Sequence, residues 1–174
     1  MALSGEWFSA TRICGTAGYG LSLLTCLIAS VRYRRDGGRR TWLKILTAVQ
    51  ALLLLDMVFN WRWLLHDYWM REAQAQHVYE ARRSPQLLLL VVLVLVLAIV
   101  AVGILKQFRG RTGVTIAMLG TLLSVGLWCI ETLSYHYLDA VFHAMIGGVM
   151  TIGLLWIALA LFTCAGLWVD IRGR

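Results

Sequence analysis

The run QLLLLVVLVLVLAIVAVGIL, Gln86–Leu105, decides the fold class. It is twenty residues long and carries no charge. About 20 apolar residues let an α-helix cross the hydrocarbon core of a bilayer. Ser84 can act as its N-cap, and Pro85 stands at the first helical position, where a missing N–H costs nothing. The Leu/Val surface has no polar stripe, so this span is expected to face lipid and act as scaffold.

Four further apolar runs flank it. The expected spans cover about residues 13–31, 42–63, 86–107, 114–134 and 145–169. The reading is therefore an all-α integral membrane protein of five transmembrane helices, with residues 1–174 forming a single domain. Composition agrees: 60% of the 174 residues are hydrophobic and 14% charged, with one proline and a mean hydropathy of +0.73. Soluble domains are nearer a quarter charged.

The net charge of +7 would suit a nucleic-acid partner if the basic residues formed a patch. Instead they bracket the apolar runs, as topology signals do. No nucleic acid is expected, and the partners implied are the lipid bilayer and other membrane subunits or further copies of the chain. Residues 32–44, 106–111 and the tail hold Arg32, Arg34, Arg35, Arg39, Arg40, Lys44, Lys106, Arg109, Arg111, Arg172 and Arg174. The other side holds Arg12, Arg62, Arg71, Arg82 and Arg83, together with most of the acids. The positive-inside rule then puts the amino end outside and the carboxyl end in the cytoplasm of a bacterial-type inner membrane. Trp7, Trp61, Trp63, Trp69 and Trp128 would mark the outer interface, and Trp42 and Trp168 the inner one. The positive charge follows the first apolar run, so that run is expected to stay in the protein, unlike a cleaved signal peptide.

Two polar segments border the outer side: DMVFNWRWLLHDYWMREAQAQHVYEARRSPQ, Asp56–Gln86, and ETLSYHYLDAVFH, Glu131–His143. All four histidines lie in them. Neither proline nor glycine occurs between Trp42 and Ser84, so helix two is expected to extend on the outer side. On such a helix Asp56, Asn60, Trp63 and Asp67 share one face, and Arg62 and His66 a neighbouring one. Asp56 lies about a turn and a half inside the apolar run. An ionised carboxylate there must be paired or face the bundle interior, with Arg62, Arg12 or a backbone donor as partner. Asp56, Arg62 and Asp67 are the expected buried charges.

In the second segment His136, Asp139 and His143 fall on one face if helix four continues that far, with Glu131 toward its edge. Imidazole nitrogens and carboxylates are ligands for zinc and iron. Glu72, His77 and Glu80 read E-x4-H-x2-E, and Glu131, His136 and Asp139 read E-x4-H-x2-D. Facing helices of a bundle can build metal sites from such sets. The candidate metal ligands are thus His66, His77, Glu80, Glu131, His136, Asp139 and His143. Two of the histidines could instead be axial ligands of haem b.

Three functions follow as alternatives. One is a metal or haem centre at the outer membrane surface, for redox or hydrolytic chemistry. Another is a non-catalytic accessory or scaffold subunit, in which the small residues Gly15/Gly18, Gly120, Gly147/Gly148 and Gly153 serve helix packing. The last is a proton-coupled carrier using Asp56 and Glu131. No Gly-x-Ser-x-Gly elbow, P-loop or HExxH occurs. Cys14, Cys26, Cys129 and Cys164 lie inside apolar runs and include no Cys-x-x-Cys, so they read as small buried hydrophobes.

Overall fold

The computed structural model describes residues 9–33, 37–75, 83–133 and 136–173. Its elements are α1 (Ala10–Arg32), α2 (Gly37–Phe59), α3 (Trp61–Ala75), α4 (Arg83–Gln107), α5 (Thr112–Leu133), α6 (His136–Phe142), β1 (Met145–Ile146), β2 (Val149–Met150) and α7 (Thr151–Arg172). Among the described residues, α1, α2, α4, α5 and α7 are long and apolar enough to cross a membrane. The chain is a multi-pass helical membrane protein.

The contacts give each helix its direction. From one end of α1 to the other, Gly15 meets Trp156, Gly18 meets Ala160 and the Tyr33 hydroxyl donates to the Asp170 carbonyl, so α1 and α7 are parallel. Arg12 reaches Met57 and Ser30 reaches Thr47, so α2 runs against α1. Gly113 abuts Asp170 and Gly120 abuts Thr163, so α5 runs against α7. Leu97 seats on Gly126, and the Gln86 side chain donates to the Leu133 carbonyl at 3.2 Å, which fixes α4 antiparallel to α5. The helices therefore alternate, and α3, α6 and the β1–β2 hairpin gather at one end of the bundle.

Two apolar clusters fill the interior. One, at the α3/α6 end, contains Tyr19, Leu53, Met57, Leu127, Phe142, Ile152 and Trp156. The other contains Cys26, Ala29, Tyr33, Trp42, Leu43, Leu46, Val114, Ala117 and Leu167. Between them, at matching depth on four helices, lie buried Ser22, Gln50, Thr121, Ser124 and Thr163. These polar groups bond inside the bundle: Gln50 Nε2 donates to Thr121 Oγ1 at 3.0 Å, and Ser22 donates to the Ala160 carbonyl at 3.2 Å. In a helix bundle in lipid, such bonds and close small-residue contacts replace the hydrophobic drive as the source of helix association. As expected, α4 is peripheral, with 6% of its spanning window buried. All four cysteines are free thiols.

The expected boundaries need two corrections. Helix two does not extend outward as one helix to Trp63 and beyond; it ends at Phe59, and α3 starts afresh at Trp61. Asn60 between them has φ of 59°, a left-handed conformation that Asn tolerates better than most residues and that no helix interior contains. Glu131 stands on α5 and His136 and Asp139 on α6, and residues 134–135 between these elements lie outside the described residues. Span five begins at Thr151, because Met145–Met150 folds into a hairpin with Met145 opposite Met150. Its loop residues Gly147 and Gly148 have φ of 59° and 82°, the two positive values of a type I′ turn. Nothing lies within 4 Å of a Cβ built on either glycine, so this pair serves the turn and not helix packing.

Candidate functional site

The break at Asn60 builds the most polar interior site. The Asn60 amide still bonds the Asp56 carbonyl at 2.6 Å, and the Asn60 carbonyl receives Leu64 N–H at 3.4 Å, so one residue closes α2 and opens α3. Phe59 and Trp61 stack across the break with ring centroids 5.4 Å apart. Both helix ends receive charge of the favourable sign. Arg12 donates to the Met57 and Val58 carbonyls at 3.0 and 2.7 Å, placing a cation on the C-terminus of α2. Asp56 Oδ1 accepts the Arg62 amide at 3.0 Å, placing a carboxylate on the N-terminus of α3.

The Arg62 side chain then turns back into the bundle. Its Nη1 donates to Glu131 Oε2 at 2.6 Å, and its Nε lies 3.5 Å from Asp56 Oδ2. Nη2 meets the Met57 sulfur at 3.2 Å, and the guanidinium sits 4.6 Å from the Trp156 ring centroid. Trp156 Nε1 donates to the same Glu131 oxygen at 3.1 Å. Asp56 and Arg62 are 3% and 6% exposed. One cation thus joins α2, α3, α5 and α7 through two carboxylates and an indole. Isolated charges would be untenable at this depth; paired and hydrogen-bonded, they hold the helices in one arrangement.

Asp56 therefore has the partner expected among Arg62, Arg12 and a backbone donor, and Arg62 supplies both its side chain and its amide. Asp67 does not join them: it lies on the exposed side of α3, and its carbonyl accepts Arg71 Nε at 3.1 Å. Placing Asp67 on the Asp56 face assumed an unbroken helix, and the Asn60 turn removes that register. Trp156 is the member that inspection of the residues missed. It was the one tryptophan that matched neither interfacial belt, and that mismatch was the available signal.

The expected metal ligands separate into three groups. Glu131 is engaged by Arg62 and Trp156. Asp139 and His143 belong to the other element, where exposed His143 folds over the end of α6 with its Nδ1 2.7 Å from the Asp139 carbonyl. His77 and Glu80 lie outside the described residues, as do the side chains of His66 on α3 and His136 at the start of α6. Among the described residues no three His, Cys, Asp or Glu side chains gather in a way that could hold a metal ion.

Comparison with protein-family models, with curated proteins and with solved structures finds no match to this chain.

Proposed function

We propose that the chain is a non-catalytic helical subunit of a larger membrane assembly, and that the Asp56–Arg62–Glu131 cluster is the latch that shapes its polar end. The carrying observation is the Arg62 side chain, which engages buried Asp56 and partly buried Glu131 while Trp156 donates to the same Glu131 oxygen. Groups that act on a substrate or hold a cofactor keep a position open to it. Here the charges face one another across three helices. A proton-coupled carrier would need Asp56 or Glu131 to exchange protons with bulk water, and their pairing with Arg62 favours the structural role. The long, exposed apolar surface of α4 suits lipid or a neighbouring subunit's helix.

In the orientation we adopt, the latch faces the outer side of a bacterial-type inner membrane and the Arg/Lys-rich connections lie in the cytoplasm, as positive-inside charge placement directs.

Extraction from native membranes in a mild detergent, followed by native-mass measurement, tests the reading. The expected particle is heavier than the 19.6 kDa chain, with a fixed stoichiometry. A monodisperse single chain would overturn it. Elemental analysis of the same preparation, with no metal added, forms the second arm. Near-stoichiometric zinc or iron, or a haem b spectrum, lost in His66→Ala or His136→Ala, would replace the scaffold with a metal or haem centre.

A further inference from the structure

At the bundle end opposite the latch, the first turns of α2 and the α4–α5 connection enclose a cleft of about 540 Å³. Its walls combine three kinds of group. Arg109 and Arg111 are exposed cations on the connection, and Gly110 between them has φ of 82°, a value glycine supplies without strain. Gly38 and Thr41 of α2 form the opposite wall. Ile45 and Phe108 are apolar, and Ile45 lies on the exposed face of α2, where it continues the cleft toward the membrane-facing surface. None of the lining residues is acidic.

Trp42 backs the cleft: it packs edge-on to Phe108 with centroids 6.4 Å apart and is 5% exposed, so the wall behind the two cations is apolar.

We propose that this cleft binds the headgroup of one anionic phospholipid. Arg109 and Arg111 hold the phosphate, and the acyl chains leave along Ile45 and the outer face of α2. A free phosphate would use the same cations but not the apolar exit. Basic pockets among transmembrane helices on the side facing an anionic leaflet recognise lipid headgroups by this combination of charge and apolar wall. The proposal is independent of the scaffold reading, because it concerns the opposite end of the bundle.

The test is native mass spectrometry of the full-length protein in detergent, titrated separately with phosphatidylglycerol, phosphatidylcholine and inorganic phosphate. Wild type should retain one phosphatidylglycerol per chain in preference to phosphatidylcholine, and phosphate at equal concentration should not displace it. Arg109→Ala with Arg111→Ala should weaken phosphatidylglycerol retention about tenfold or more and bring it to the phosphatidylcholine level. Equal retention of the two lipids, or a double-arginine variant that binds like wild type, would overturn the proposal. Displacement by phosphate at equal concentration would assign the cleft to a soluble anion and overturn it as well.

Discussion

Arg62 is the residue on which the polar end depends. Among the described residues it is the one cation placed between buried Asp56 and partly buried Glu131, so removing it leaves both in a poorly solvated interior without their shared partner. Breaking a buried ion pair from one side costs about 3–5 kcal/mol, far more than an exposed pair is worth. Arg62→Met is therefore expected to lower the melting temperature of the detergent-solubilised protein sharply. Glu131→Gln should be milder, on the order of 1–2 kcal/mol, because an amide still accepts from Arg62 and Trp156 and leaves Asp56 to balance the guanidinium. Thermal unfolding of both variants checks the order. An Arg62→Met protein as stable as wild type would show that the cluster is not a latch. Asp56 illustrates how far reading from residues reaches: its depth in an apolar run marks it as paired, and its neighbours at four to six residues supply candidates. The Trp156 contribution comes from α7, far along the chain, and its position outside both tryptophan belts marks it as unusual without naming Glu131 as its partner.

Among the elements, the α5–α7 seam is the tightest. A Cβ on Gly166 would collide with the Ala117 amide and the Gly113 carbonyl, which are backbone atoms and cannot rotate away. A Cβ on Gly20 of α1 meets nothing within 4 Å. The two glycines should answer alanine in opposite directions. Gly166→Ala forces α5 and α7 apart and is expected to cost about 1–3 kcal/mol, as overpacking does. Gly20→Ala should be neutral or stabilise by up to about 1 kcal/mol through helix propensity. Comparison of the two melting temperatures decides this, and equal values would mean that the seam is loose. The glycine-bearing segment GTAGYG shows small residues to be available for packing. It does not show that Gly15 and Gly18 face α7 while Gly20 faces away; that depends on which side of α1 the partner occupies.

For the whole molecule, the alternating helices put the latch and the anionic-lipid cleft at opposite ends, so the orientation in the membrane assigns each a compartment. Positive-inside placement predicts that the latch end is outside. In a background with the native cysteines replaced by alanine, Arg71→Cys on exposed α3 should react with a membrane-impermeant maleimide in intact cells. Arg109→Cys should react only after permeabilisation. The reverse pattern would invert the protein and place the lipid cleft in the outer leaflet.

Five candidate spans, one uniformly apolar helix and a polar end follow from quantities that add along the chain: the transfer free energy of each apolar run, its length and the charge on either side. Those terms need no knowledge of neighbours, so Gln86–Leu105 reads as a membrane helix in isolation. The turns resist such reading because they hang on single dihedral angles. Asn60 breaks an unpunctuated helical pattern with one positive φ, and Gly147–Gly148 turns an apolar stretch into a hairpin before α7 begins. The site resists it for another reason. Glu131 has carboxylate and histidine neighbours in sequence, but the folded bundle sets Arg62 and Trp156 against it, and only the packing of α3, α5 and α7 selects those partners over the nearby histidines.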